Sequence, residues 1–168
     1  MIELLILFEL RKKVLTMYGI SKEIKSDFSV LTLPSYGTIK PALVRLANAG
    51  FIKMQKTISS GGRPSTYYSL TTSGEEELKN LLLLNPLDNP IQFLPVARMK
   101  IFCADILNSS EQKKMYKMLK TKAESILLDV SSRLTSNELG FHSKMVFDNL
   151  LCEYKNFISL LEGLERAC

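Results

Sequence analysis

Lys40, Arg45 and Asn48 follow one another along one short amphipathic stretch, and Arg63 stands directly behind Gly61-Gly62. Each type suits a nucleic acid. Lysine binds phosphate as a point charge, arginine reads guanine or a narrow minor groove, and asparagine can pair with adenine. Tyr36, Gly37 and Thr38 lie just ahead of them and add hydroxyls and a close backbone approach. The bland reading of the same residues is a solvated helix face, and without further context it would win.

Other chemistries lack their components. His142 is the single histidine, so a histidine metal site or a Ser-His-Asp triad is hard to build. Cys103, Cys152 and Cys168 are widely spaced with no C-x-x-C pair and read as reduced thiols in a cytoplasm. No nucleophile, base or phosphate loop is assembled. The expectation is a protein that is not an enzyme and has no metal and no cofactor.

The context comes from the elements that must hold these residues. Ile39, Leu43 and Leu46 recur at +4 and +3, one apolar stripe of a helix over 35–50. Ser35 is placed to cap it, and Gly50 to end it in the left-handed conformation. Pro41 predicts a kink or a tight first turn. Phe51 to Lys56 and Thr66 to Leu70 read as two strands, with a turn of Ser59, Ser60, Gly61 and Gly62 between them. Tyr67 and Tyr68 alternate faces, and Tyr68 is taken as a phosphate contact. A helix feeding a hairpin with a basic tip is the plan of a winged helix-turn-helix. Its helix enters the major groove and its wing reaches the flanking backbone or minor groove.

Before this unit, residues 2–14 and 18–27 read as helices, the first with Leu4, Leu7 and Phe8 inward, the second with Ile20, Ile24 and Phe28. After it, Thr72 with Glu75 offers a capping box for a fourth helix to about Leu84. Asn85 to Asn89 and Pro90 mark a boundary. The domains expected are therefore 1–84, DNA-binding, and 85–168, helical.

The C-terminal domain carries a pair of seams. Residues 91–107 look helical, with a break allowed at Pro95. Ser109 with Gln112 opens a long helix in which Tyr116, Leu119, Ala123, Ile126 and Val130 are spaced +3, +4, +3, +4. Phe147, Leu150, Tyr154, Phe157, Leu161 and Leu164 repeat the pattern in the last helix. Such helices pack on each other or on a second copy. The contacts expected for a dimer are Leu119, Ile126, Val130, Phe147, Leu150, Tyr154, Phe157, Leu161 and Leu164. The fold class is mainly α with a small β-hairpin: a winged helix-turn-helix domain plus a C-terminal, coiled-coil-like dimerisation domain.

Ser35 to Leu43, Leu46 to Ile52 and Gly62 to Thr71 also resemble, in order and spacing, the DNA-binding domain of the PadR family of transcriptional regulators. The family's pattern is roughly S-x-G-T-[LI]-Y-P-A-L, then L-x-x-x-G-[LF]-[IV], then G-R-P-x-[KR]-Y-Y-x-[LI]-T. The match covers about residues 4–82. Lys40 replaces the family's usual tyrosine, Tyr18 its usual histidine, and Ile20 a further tyrosine. The resemblance implies a dimeric repressor on an inverted-repeat operator, released by a small apolar molecule. Its implied DNA contacts include Ser35, Tyr36, Gly37, Thr38, Lys40, Arg45, Asn48, Arg63 and Tyr68. Met99, Met115, Met118 and Met145 could line an adaptable pocket. The absence of tryptophan argues against a stacked-indole ligand site.

Charge agrees with this plan. Residues 1–70 hold ten Lys/Arg against four Asp/Glu, and residues 71–168 hold twelve against thirteen. The chain is 46% hydrophobic, enough for a packed core. Its start, Met1 to Glu9, is apolar but carries Glu3 and has no leading basic segment, so no signal peptide is read there. No stretch is long and uncharged enough to span a membrane. The partners expected are double-stranded DNA, a second copy and a small apolar ligand, in the cytoplasm. The alternative reading is a winged-helix protein–protein adaptor without specific DNA binding.

Overall fold

The computed structural model describes residues 1–58, 64–85, 89–135 and 139–168. The turn 59–63 with Arg63, the prolyl segment 86–88 and the break at 136–138 lie outside the described residues. The chain divides into two compact units, Met1–Leu84 with Arg98–Cys103, and Asn85–Ala97 with Ala104–Cys168.

In the first unit, α1 (Ile2–Lys12) is the core element. Leu4, Leu5, Ile6, Leu7 and Leu10 are all buried on it, and Arg11 and Lys12 sit in its last turn, where the helix dipole favours cations. Around it pack α2 (Met17–Phe28) through Ile20, Ile24 and Phe28, and α3 (Tyr36–Asn48) through Ile39, Ala42, Leu43 and Leu46. Phe8, Phe28 and Phe102 form an aromatic cluster with centroids 4.5–6.1 Å apart.

α3 starts tightly. The carbonyl of Ser35 accepts from both Thr38 N–H and Ile39 N–H at 3.0 Å, and the helix then continues through Pro41. The Ser35 side chain makes no cap; its hydroxyl lies 3.2 Å from Thr38 Oγ1 instead. The C-terminus is a Schellman turn. Phe51 N–H donates to Leu46 O, Gly50 N–H donates to Ala47 O, and Gly50 has φ +75°. An alanine at residue 50 would cost about 1 kcal/mol from backbone strain.

The hairpin pairs β2 (Ile52–Ile58) with β3 (Pro64–Leu70), antiparallel, with Ile52 opposite Leu70 and Ile58 opposite Pro64. A strand not read from the sequence joins it. β1 (Leu15–Thr16) pairs with β3 at Tyr68 and Tyr67, so the sheet has three strands in the order β1-β3-β2. Two residues are too few to show alternation; the ladder to β3 makes them a strand. Thr16 is also the N-cap of α2, accepting from Gly19 N–H at 3.1 Å.

α4 (Thr72–Leu83) is capped one residue earlier than expected. Thr71 Oγ1 accepts from Gly74 N–H at 3.0 Å, and its hydroxyl lies 2.8 Å from Gly50 O. That second contact ties the cap to the Schellman turn. Lys100 is 3% exposed and donates to Leu82 O and Leu84 O at the other end of α4. Burial lowers its pKa to about 8.

The second unit contains the N-terminal portion of α5 (Pro90–Phe102), a 3₁₀ turn (Ala104–Ile106), α6 (Ser109–Leu134) and α7 (Phe141–Ala167). α5 is continuous through Pro95. α6 opens on a capping box of Asn108 and Glu111, again one residue before the expected pair of Ser109 and Gln112. Gln112 instead donates to Ala104 O and Leu107 O. Cys168, just past α7, donates from Sγ to Gln112 Oε1 in the first turn of α6 at 3.0 Å, and Lys120 at the middle of α6 reaches Glu162 and Glu165 in the last turns of α7, so the two helices run antiparallel.

Their seams close on each other. Leu119, Val130, Tyr154, Phe157 and Leu161 are buried within the chain, while Ile126, Phe147, Leu150 and Leu164 are half-buried. Phe93 of α5 stacks on Tyr154 at 6.2 Å and meets Phe157 edge-on at 6.0 Å. The five buried residues, expected from the sequence as dimer contacts, are thus covered within the chain itself. A heptad seam records that a helix has a neighbour, and the nearest neighbour here is the next helix of the same chain.

Candidate nucleic-acid interface

α3 buries one side and leaves the other bare. Ser35, Tyr36, Gly37, Thr38, Lys40, Arg45 and Asn48 are all exposed, as are Pro41 and Val44. Helical periodicity places Gly37, Pro41, Val44 and Asn48 opposite the buried Ile39, Ala42, Leu43 and Leu46. Lys40 and Arg45 flank this outward row on opposite edges.

Arg45 is not free. Its Nε donates to Glu3 Oε1 of α1 at 3.1 Å, and its Nη2 pairs with the same oxygen. Burial is the largest influence on Glu3 and by itself would raise its pKa, but the Arg45 hydrogen bond, a backbone hydrogen bond and the nearby charges of the N-terminus and Arg45 together outweigh it and hold the carboxyl below its ordinary value. The sequence gives no sign of this tie, because Glu3 and Arg45 are 42 positions apart.

α2 contributes a stripe that the sequence reading missed. Tyr18, Lys22 and Lys25 are exposed at i, i+4 and i+7, the spacing that would have revealed one helix face. Lys53 and Lys56 of β2 are exposed as well, on opposite faces of the strand. Tyr68 is half-buried, whereas Tyr67 is the more exposed of the pair at 39%. Tyr68 shares its sheet face with half-buried Leu70 and, across the ladder, with buried Ile52 and exposed Met54, so that face runs from the core at Ile52 to solvent at Met54. Of the two, Tyr67 is therefore better placed for a phosphate. Arg63 lies outside the described residues.

The remaining reactive groups do not join this surface. Cys103 is buried, and burial pushes its thiol up to about 12, away from thiolate chemistry. Glu9 is fully buried beside Lys12 Nζ at 3.0 Å, and Lys12 also holds Asp27 at 2.6 Å. Burial raises the Glu9 pKa. His142 is exposed beside Phe141. Among the described residues no cluster could hold a metal ion, and no helix is long and apolar enough to cross a membrane.

An exposed helix face following a second helix, with a hairpin directly behind it, defines a winged helix-turn-helix protein. Residues 6–80 match the model of the transcriptional regulator PadR-like family. The chain is 25% identical over 168 residues to the negative transcriptional regulator PadR of Bacillus subtilis strain 168, covering 92% of this chain and 90% of that protein. A PadR family transcription regulator from Clostridium difficile R20291 is 32% identical, over 47% of this chain and 80% of that one, with a TM-score of 0.42. The structure of Bacillus subtilis PadR in complex with operator DNA is 25% identical, covers 98% of this chain and 97% of that one, and has a TM-score of 0.48. The chain belongs to the PadR-like family and is a transcriptional regulator, not an enzyme.

Proposed function

We propose that this regulator is a repressor that binds an inverted-repeat operator in the cytoplasm as a homodimer. The observation that carries the reading is the bare outward face of α3. Gly37, Lys40, Val44 and Asn48 are exposed together on it. Lys22 and Lys25 of α2 and Lys53 and Lys56 of β2 add exposed cations to the same unit. In this reading Asn48 contacts a base edge. Ser35, Tyr36, Thr38, Lys40, Tyr67 and the α2 lysines hold phosphates, with Arg63 of the wing proposed from sequence alone. The name of the Bacillus subtilis relative, a negative transcriptional regulator, favours repression over activation.

The dimer is assigned to the second unit. Since much of its seams is covered within the chain, the exposed large apolar side chains left for a second copy among its described residues are Ile91, Leu128, Phe141, Met145, Val146 and Leu160. An effector site is assigned to the same unit. A cavity of about 270 Å³ is walled mainly by Pro90, Ile91, Ile126, Val130, Phe147, Leu150 and Tyr154, with Asp129 and Arg133 also lining it, which suits a small apolar or aromatic molecule with a polar group.

Footprinting on the DNA upstream of the gene tests the reading. Two protected half-sites should appear, centred roughly 34–36 Å apart or a multiple of it. A single asymmetric footprint would refute the two-fold arrangement. No footprint at any salt concentration would leave the protein–protein adaptor as the better account.

A further inference from the structure

Of the candidate contacts on α3, Arg45 alone has an ion-pair partner among the described residues, and that partner, Glu3, is acidic on a surface assigned to a polyanion. One carboxylate oxygen, Glu3 Oε1, takes both guanidinium contacts, from Nε and from Nη2. The remaining N–H groups of Arg45 stay open, and its side chain is 59% exposed while paired. Glu3 is better covered, at 24%, and is anchored on the α1 backbone.

The place of Arg45 on α3 decides what else it could meet. It flanks the row of Gly37, Pro41, Val44 and Asn48 on the side toward α1. When such a row lies in a groove, a flanking side chain faces the sugar–phosphate wall and not the base edges. A phosphate oxygen and the Glu3 carboxylate are then rivals for one guanidinium. An exposed pair of this kind is held weakly in water, so exchange is feasible. A phosphate that approaches Arg45 also approaches Glu3, which repels it.

We propose that Glu3 is a positioning residue that competes with DNA phosphate for Arg45, so that the protein carries an internal brake on its own DNA affinity. The inference rests on the DNA-binding reading of α3 and adds a residue outside the helix-turn-helix to it. Glu3 acts here through Arg45 and touches no base. Its carboxylate lowers the affinity for every duplex, operator or not, because phosphate is common to both.

The test is a set of anisotropy titrations on a labelled duplex from upstream of the gene, at salt concentrations between about 50 and 300 mM. The proteins are the wild type, Glu3→Gln, Arg45→Ala, the double variant, and Glu76→Gln. The last removes one exposed acid from α4 and controls for net charge. Glutamine keeps the shape and the acceptor of Glu3 but not its charge. Glu3→Gln should tighten binding about 3- to 10-fold at low salt and steepen the log–log salt slope by about 0.9, the signature of one more neutralised phosphate. The gain should vanish when Arg45 is alanine and should exceed that of Glu76→Gln. The inference is overturned if Glu3→Gln binds equally or more weakly, if its gain survives in the Arg45→Ala background, or if Glu76→Gln matches it. A wild type that shows no salt-dependent binding at all overturns the DNA-binding reading itself, and the brake with it.

Discussion

The backbone carbonyl of Phe51 faces Gly74 so closely that a Cβ at residue 74 would lie 2.0 Å from the oxygen. The same carbonyl accepts from Thr71 N–H at 3.1 Å. The end of α3, the start of β2 and the first turn of α4 thus share one knot, and the knot sets how the hairpin leaves the helix.

Gly74→Ala should therefore cost about 2–4 kcal/mol, because the closest clash is with the Phe51 backbone, which must move even if the Leu70 side chain yields. Gly163 is the contrast: it lies inside α7 with nothing within 4 Å of the added Cβ, so Gly163→Ala should stabilise by about 0.5–1 kcal/mol. Urea melts of both variants check this. Equal small effects would mean that the knot is not rigid.

Lys100 gives a pH dependence with a defined sign. Its folded pKa, about 8, is below the ordinary lysine value, so between the two the unfolded chain binds more protons. Stability should then rise with pH in that window, and the cost of the buried charge should be fully present below pH 8. Between pH 7.5 and 9.5 the wild type should gain about 2 kcal/mol relative to Lys100→Met. Parallel urea melts at the two pH values measure the difference. A Lys100→Met protein that gains as much as the wild type would show that Lys100 titrates normally.

The dimer surface can be separated from the core of the second unit. Leu161 is fully buried, so Leu161→Glu should unfold the α6–α7 pair and not merely dissociate a dimer. Phe141 and Met145 are exposed, and the double change to glutamate should give a folded monomer. Sedimentation with circular dichroism distinguishes the two results. A wild type that sediments as a monomer at micromolar concentration would remove the dimer from the account.

The local features were legible in the sequence where local physics controls them. The stripe of Ile39, Leu43 and Leu46 and the stop at Gly50 are written in a helical period and a left-handed glycine. Caps came out one residue late at Thr71 and Asn108, because Thr71-Thr72 and Asn108-Ser109 each offer two adjacent capping side chains. Geometry, not residue type, chooses between them. What could not be read is what depends on distant partners. β1 exists through its pairing with β3, Lys100 reaches the end of α4, and Arg45 is held by Glu3. Tyr67 and Tyr68 belong to an intermediate kind: alternation is plain in the sequence, but which one faces outward follows from the register of β3 against β2.

The central claim is that α3, with the α2 lysines, is a DNA-reading surface, and salt titrations on two duplexes test it most directly. One duplex carries the footprinted sequence and the other a scramble of it. The wild type should prefer the first by about 10³-fold or more, and its affinity for both should fall as salt rises. Lys22→Ala and Lys25→Ala should each flatten the slope by about 0.9 on both duplexes, whereas Asn48→Ala should leave the slope alone and lose about 1–3 kcal/mol on the operator only. Equal affinity for the two duplexes, with slopes unchanged by the lysine variants, would contradict the account.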